Sequence, residues 1–469
     1  MRTPLANVDA TWHRMEEPAN RMVVVGVLVF DKPVSLKRLQ GLLERRLLRF
    51  GRFRRRIVEA ADAAGALFWE DDPGFSLDNH LVQAALASPR NEKALQTLAS
   101  TLASEPFPKG RPPWQFHFVP RYQGGSALVV RLHHSIGDGL ALVHVLLSMA
   151  DGTPPSSESA RQSTEAPGDG PLRVRVAQAA FAFPRRAAKE ALGLLRDPLR
   201  LVRASTEAAS QLASLARLLL LPPDPPTSLK GPLGKRKKLV WSRPFDLDDF
   251  KAAGGATGTT VNDILMTALT GSLRRYLLAR GAVPHKLDVR AVVPVNLRPA
   301  DEAHQLGNRF GLVFVALPLG IEEHSARLQE LHRRMEALKK STDAPAVWGL
   351  LWVMGRLPRA LFDVVVDVFA TKATAVVTNV VGPKQAISLV GVRLRQAMFW
   401  VPCAGHLGLG VSLLSYGGRV CVGVQTDVGL IPDPEKILAG FEEELRALRA
   451  VRRRAASRRP SRRAGKRSN

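Results

Sequence analysis

The stretch RLHHSIGDGLALVHVLL, residues 131–147, sets two adjacent histidines ahead of an Asp-Gly pair, with apolar runs on both sides. Histidine titrates nearest neutrality, so it can take a proton from a hydroxyl, ligate a metal, or sit as a hydrogen-bonded core residue. The run ALVVRLHH (127–134) has the alternation of a β-strand, in which every second side chain shares a face. Leu128, Val130, Leu132 and His134 then point one way, and Val129, Arg131 and His133 the other, so only one histidine can face a given pocket. That divergence counts against a shared metal, as does the lack of further ligands at a recognisable spacing, and no metal site is expected. Asp138 and Gly139 stand where the strand turns into the helix LALVHVLLSMA. There Asp138 is a favoured helix N-cap, which needs no other role. A carboxylate so close to the histidines can also hold an imidazole tautomer or pair with an arginine to stiffen the turn. His144, between Val143 and Val145, reads as structural. Spacing alone leaves His134 open between a working base and a core residue.

The elements that must position these residues alternate strand and helix over residues 1–150: MVVVGVLVF (22–30) is a strand, and SLKRLQGLLERRLLRF (35–50) a helix opened by a Ser cap. Residues 151–171 lose apolar content and gather Pro, Ser and Gly, as a flexible linker does. Residues 172–236 form a basic helical connector in which Leu212, Leu215 and Leu219 share a face. It suits either a lipid surface or packing across a domain boundary. Residues 237–450 make a second α/β unit, with a helix over TVNDILMTALTGSLRRYLLARG (260–281), a strand over LDVRAVVPVNLRP (287–299) and a helix over HSARLQELHRRMEALKK (324–340). The spacing also predicts a hairpin joined through Gly417 and Gly418. The apolar window 348–370 is interrupted by Arg356, Pro358, Arg359, Asp363 and Asp367, so it reads as two helices rather than a bilayer crossing. Residues 451–469 read as a disordered polybasic tail. A site between the two halves is the default place for a large ligand.

A chain of 469 residues with 45% hydrophobic content buries large cores, which excludes disorder as the main state. Two cysteines, Cys403 and Cys421, are too few for a disulfide scaffold and fit a reducing compartment. No secretory h-region opens the chain, so a cytoplasmic location is expected. The net charge of +25 attracts polyanions, whether phosphate-bearing substrates, anionic lipid or nucleic acid. At 6% aromatic content, with few aromatics near the basic runs, specific nucleic-acid binding is the weakest of these readings.

HHSIGDG (133–139) has the form HHxxxDG and resembles the signature of the acyltransferase superfamily that includes chloramphenicol acetyltransferase, peptide-synthetase condensation domains and the bacterial wax ester synthase/diacylglycerol acyltransferases. The ordered company of RPPWQFHFV (111–119), TVND (260–263), PVNLRP (294–299), Gly307–Asn308, TNVVGP (378–383), LSYGG (414–418) and Thr426–Asp427 resembles the last of these. Two departures are Trp114–Gln115, where the family usually has Leu-Trp-Glu after proline, and Thr378 in place of a common Ser. The resemblance implies an α/β fold of two chloramphenicol acetyltransferase-like mixed-sheet domains with a tunnel between them, and His134 at its middle. It implies fatty acyl-CoA as co-substrate, no other cofactor, and an acceptor that is diacylglycerol or a long-chain alcohol. His134 would be the general base and Asp138 would orient the loop, with His133 turned into structure. Gly139, Asn262, Asp263 and Arg298 would support them, Arg298 as the partner of Asp138 and Asn262 as a tunnel-wall or oxyanion residue. Trp114, Asn379 and Gly382 are tunnel candidates. Such an enzyme would attach peripherally to an anionic membrane, at the inner face of the plasma membrane, or to a lipid droplet. The rivals are a condensation-type acyltransferase using another thioester or acceptor, against which the lack of an adjoining carrier segment counts, and a non-catalytic lipid or polyanion binder.

Overall fold

A computed structural model describes residues 2–60, 65–153, 198–282, 285–299, 302, 305–403 and 405–457. Most of the expected linker, residues 172–197 of the connector and 458–469 of the tail lie outside the described residues, while residues 451–457, expected to be disordered, continue the helix Pro434–Ser457.

Two large sheets carry the molecule. The first runs Ser388–Leu389, Val392–Trp400, Val23–Phe30, Gly125–His133, Trp114–Tyr122 and Leu81–Gln83. Val23–Phe30 is buried at all eight positions, as a continuous β-branched run in a central strand should be. It pairs antiparallel with Gly125–His133, placing Val23 opposite His133. The second sheet runs Phe310–Pro318, Asp288–Asn296, Ala375–Val381, Leu409–Tyr416, Arg419–Asp427 and Lys237–Trp241, with Phe245–Asp246 also on Arg419–Asp427. A small sheet of Arg2–Pro4, Leu67–Asp71 and Arg55–Glu59 flanks the first.

The expected hairpin is present, and Gly417 and Gly418 both adopt positive φ, 57° and 77°. A two-residue turn of this hand matches the right-handed strand twist and suits glycine. The helix Val261–Leu278 starts at a Thr260–Asp263 capping box and packs its apolar side against the second sheet and Pro434–Ser457. The window 348–370 does form two helices, Asp343–Met354 and Arg359–Ala370, separated at Pro358. Among the described residues, no helix is long and apolar enough to cross a membrane.

Two features go beyond the sequence reading. Residues 388–400, inside the expected second half, cross over to the first sheet: Val392–Trp400 pairs with Val23–Phe30, from Leu394 opposite Phe30 to Trp400 opposite Val25, and Ser388–Leu389 pairs on its outer side. An apolar strand left at a sheet edge would template pairing with another chain, and this crossover covers it. On the helix Pro198–Leu220, Leu212 and Leu219 are exposed at 67% and 50%, while Leu218 is the buried contact. Leu215, the third residue of the expected face, is half-buried, and the helix packs on Asp343–Met354 beside it, with Ser214 hydrogen-bonded to Thr342 and Arg217 paired with Asp343.

Candidate active site

His134 sits one residue beyond its strand, held by a hydrogen bond from its backbone N–H to the Met22 carbonyl at 2.8 Å. Its ring stacks on Trp12, with centroids 4.5 Å apart and planes 23° from parallel, and lies 5.8 Å from the Phe310 ring. Two cavities meet at this side chain. One, of about 290 Å³, extends between the halves past Trp12, Phe310, Leu351 and Phe369. The other, of about 120 Å³, runs into the first half beneath the helix Gly139–Met149, past Leu28, Phe116, Leu146 and Met149. His134, Gly139, Val380, Phe399 and Val401 line both. The walls are overwhelmingly apolar, which suits hydrocarbon chains. Burial pushes the His134 imidazole down to about 4, so the ring is neutral near pH 7 and can accept a proton.

Asp138 caps the helix that follows, its Oδ1 accepting from the Ala141 N–H at 2.9 Å. Its Oδ2 accepts from Arg298 Nη2 at 2.8 Å and from the Arg309 N–H at 2.9 Å. Arg298 is thus the ion-pair partner of Asp138, and both side chains are buried. The arginine also donates to the Gln305 and Gly307 carbonyls at 2.9 and 2.7 Å. These three hydrogen bonds, one to Oδ1 and two to Oδ2, tie the turn to its helix and to the second half. His133 faces the other way. Its Nδ1 accepts from the Ser135 N–H at 3.1 Å, and its Nε2 lies 3.0 Å from a Glu16 carboxylate oxygen. Burial raises the Glu16 carboxyl, but hydrogen bonds from His133 and Arg21 outweigh this and hold it below its ordinary value.

Sequence reasoning missed the residues that brace the histidine loop from outside it. Asp9, fully buried in the helix Asn7–Arg14, accepts from Arg52 Nη1 at 2.7 Å and from Asn308 Nδ2 and N at 2.8 and 3.0 Å. Arg52 Nη1 also donates to the Ser135 and Ile136 carbonyls at 2.9 and 3.1 Å. Asn308 Nδ2 donates to the His134 carbonyl at 2.8 Å. Asn308 stood in a noted motif without a role. Asp9, Trp12, Arg52 and Phe310 carried no local signal.

Residues 5–265 match the wax ester synthase/diacylglycerol acyltransferase catalytic domain, and residues 306–449 match the C-terminal domain of the same family. The chain belongs to the wax ester synthase/diacylglycerol acyltransferase family. It is an acyltransferase. A Mycobacterium tuberculosis protein named as a probable diacylglycerol O-acyltransferase, tgs1, is 26% identical over 459 residues, covering 96% of both chains. A second from the same organism, Rv1760, also named as a diacylglycerol O-acyltransferase, is 25% identical and covers 95% of this chain and 89% of its own. Among solved structures, the wax ester synthase/diacylglycerol acyltransferase from Marinobacter aquaeolei VT8 superposes with a TM-score of 0.67 at 21% identity, over 96% of this chain and 99% of its own. The first condensation domain of a calcium-dependent antibiotic synthetase gives 0.59 at 15% identity, over 96% of each chain. These likenesses establish the two-sheet fold.

Within this wax ester synthase/diacylglycerol acyltransferase fold, the other expected residues separate. Gly139 and Gly382 line the inner cavity, and Asn379 and Thr378 the larger one. Trp114 lines neither. It is fully buried, stacks on His80 at 4.4 Å and donates to the Phe53 carbonyl at 2.8 Å, one layer behind the wall that Phe53 forms. Although Trp114 opens its strand, its ring turns into the core of the first half among Phe53, His80 and Phe116, which accounts for this. Asn262 lies outside both walls and reaches the larger one only through Asn379, whose Nδ2 donates to Asn262 Oδ1 at 3.0 Å. Asp263 serves the helix cap and accepts from His332 Nδ1 at 2.8 Å. Among the described residues, no group of three His, Cys, Asp or Glu side chains is placed to hold a metal ion.

Proposed function

We propose that this acyltransferase moves a fatty acyl group from acyl-CoA to the hydroxyl of diacylglycerol or a long-chain alcohol, with His134 as general base. The observation that carries this reading is a neutral, buried imidazole at the junction of two apolar cavities. One cavity would take the acyl chain and the other the acceptor. The imidazole accepts the hydroxyl proton as the oxygen attacks the thioester carbon, a contribution of roughly 10² to 10⁴ in rate. Gly139 opens its helix beside the reacting carbon, so the positive end of the helix dipole favours the developing oxyanion. When the tetrahedral species collapses, the carbon–sulfur bond breaks and the thiolate of CoA takes the proton from the imidazolium. The ester is released with the base restored, and no acyl-enzyme is needed.

The acceptor is too apolar to reach the site through water, so we place the enzyme at the cytoplasmic face of an anionic membrane or at a lipid droplet. The net charge of +25 and the exposed Leu212, Leu219, Leu361 and Val364 support peripheral attachment. Purified protein given palmitoyl-CoA with dioleoylglycerol or hexadecanol tests the reaction. Thiol release that vanishes in His134→Ala is expected, and unchanged release in that variant would overturn the role of His134. Removing residues 451–469 should weaken pelleting with anionic vesicles at low salt while leaving turnover of dispersed substrates nearly intact. Abolished turnover would refute the surface reading of that segment.

A further inference from the structure

The amide of Asn308 is held from two sides. Its Nδ2 donates to Asp9 Oδ1 and to the His134 backbone carbonyl, each at 2.8 Å. Both hydrogens of the amide nitrogen are then engaged by oxygens that can only accept. Turning the amide over would set its oxygen against a carboxylate and a carbonyl, so the orientation is fixed and Oδ1 remains as an acceptor. That oxygen is buried and has no hydrogen-bond partner among the described residues. The same is true of His134 Nδ1, on the ring whose backbone carbonyl this amide already holds. Two buried polar atoms, one obliged to accept and one able to donate, are costly apart and complementary together.

We propose that Asn308 is a positioning residue that sets the tautomer of His134: Nδ1 carries the proton toward Asn308 Oδ1, and Nε2 keeps the lone pair that faces the substrates. The inference rests on His134 being the base. A neutral imidazole has one proton to place, and with it on Nδ1 the nitrogen outside the buried set is the one free to accept. The ring's own carbonyl favours a proton on the ring in the same way as the Asn308 side chain does. Behind the amide, Asp9 Oδ2 accepts from Arg52 Nη1 at 2.7 Å, so an Arg52–Asp9–Asn308–His134 chain runs from the N-terminal helix to the base. The orienting group for a base in the first half is thereby delivered by the second half, from the loop that enters the strand Phe310–Pro318. An amide also differs from the carboxylate of a Ser-His-Asp arrangement. It orients the ring without adding a charge that would hold the resting imidazole protonated.

The test is a long-range ¹H–¹⁵N spectrum of the full chain labelled with ¹⁵N-histidine, with the His134 signals identified by their loss in His134→Ala. At neutral pH the wild type should show a protonated Nδ1 and an unprotonated Nε2 at this residue. Asn308→Ala should give a mixture of tautomers, with kcat lower by about 10-fold and KM for acyl-CoA nearly unchanged. Asn308→Ser, which restores a short acceptor, should recover part of both signals. A wild-type ring protonated on Nε2 overturns the proposal, and this reading needs no variant to fold. A single Nδ1 tautomer that persists in Asn308→Ala also overturns it, assigning the orientation to the ring's own carbonyl. Full activity in His134→Ala would instead sink the assignment of the base, while the tautomer measurement would stand on its own.

Discussion

Removing the Asp138 carboxylate should cost stability in an amount the structure allows to be worked out. Asp138→Ala deletes the cap on the Ala141 N–H, worth about 1 kcal/mol. It also breaks a buried ion pair with Arg298, a loss of typically 3–5 kcal/mol when one charge is left unpaired. The second figure belongs near its lower end, because Arg298 keeps the Gln305 and Gly307 carbonyls. The sum is about 4 kcal/mol. Asp138→Asn keeps an oxygen for the cap and should lose about half as much. Arg298→Ala should lose about 3 kcal/mol, and the double variant about 2 kcal/mol less than the two singles added together, since each partner is of little use alone. Urea unfolding followed by tryptophan fluorescence, with a shared slope for the wild type and the four variants, gives each value. An Asp138→Ala protein within about 1 kcal/mol of wild type, or singles that simply add, would refute the claim that this pair braces the histidine loop.

With the imidazole of His134 pushed down to about 4 by burial, the acid limb of kcat/KM should fall near that value, measured by pH jump before unfolding; a limb near 6.5 in folded protein would refute a buried base. Burial also pushes His13 and His117 down to about 4. Below about 6.5 the unfolded chain therefore takes up protons that the folded one refuses, so stability is full above that value and is lost as the pH falls toward 4. The slope approaches about 4 kcal/mol per pH unit for three such groups, and melting temperatures that stay flat across the interval would contradict it. A Cβ at Gly139 would stand 3.2 Å from Val380 Cγ2, where the two cavities join. Gly139→Val should cut thiol release from palmitoyl-CoA by about 10-fold or more at a stability cost of about 1–3 kcal/mol, and unchanged release would show that the junction is not on the substrate path.

Much of the site was legible because it is local. Strand alternation alone separated His134 from His133, and the two rings do face opposite environments. The cap geometry at Asp138 followed from an acid at a strand-to-helix turn. Trp114 shows where a motif misleads: its neighbourhood in sequence is that of the tunnel, yet its side chain supports the wall from behind. Asp263 is similar, a motif residue engaged by its own helix cap and by His332. The crossover of 388–400 had no signal in its own residues, because an edge strand is chosen by which open edge needs covering.

By itself the sequence determined the periodic elements, the hairpin at Gly417–Gly418, the turn that carries the histidines and the divergence of their two side chains. These depend on residues a few positions apart, where backbone geometry allows only a small set of outcomes. Tertiary structure alone decided what surrounds that side chain: Trp12 against its ring, Asn308 against its carbonyl, and Asp9 and Arg52 behind them, drawn from segments up to 299 positions apart between Asp9 and Asn308. Contacts at such separations are set by how whole sheets and helices pack, and no spacing rule along the chain encodes them.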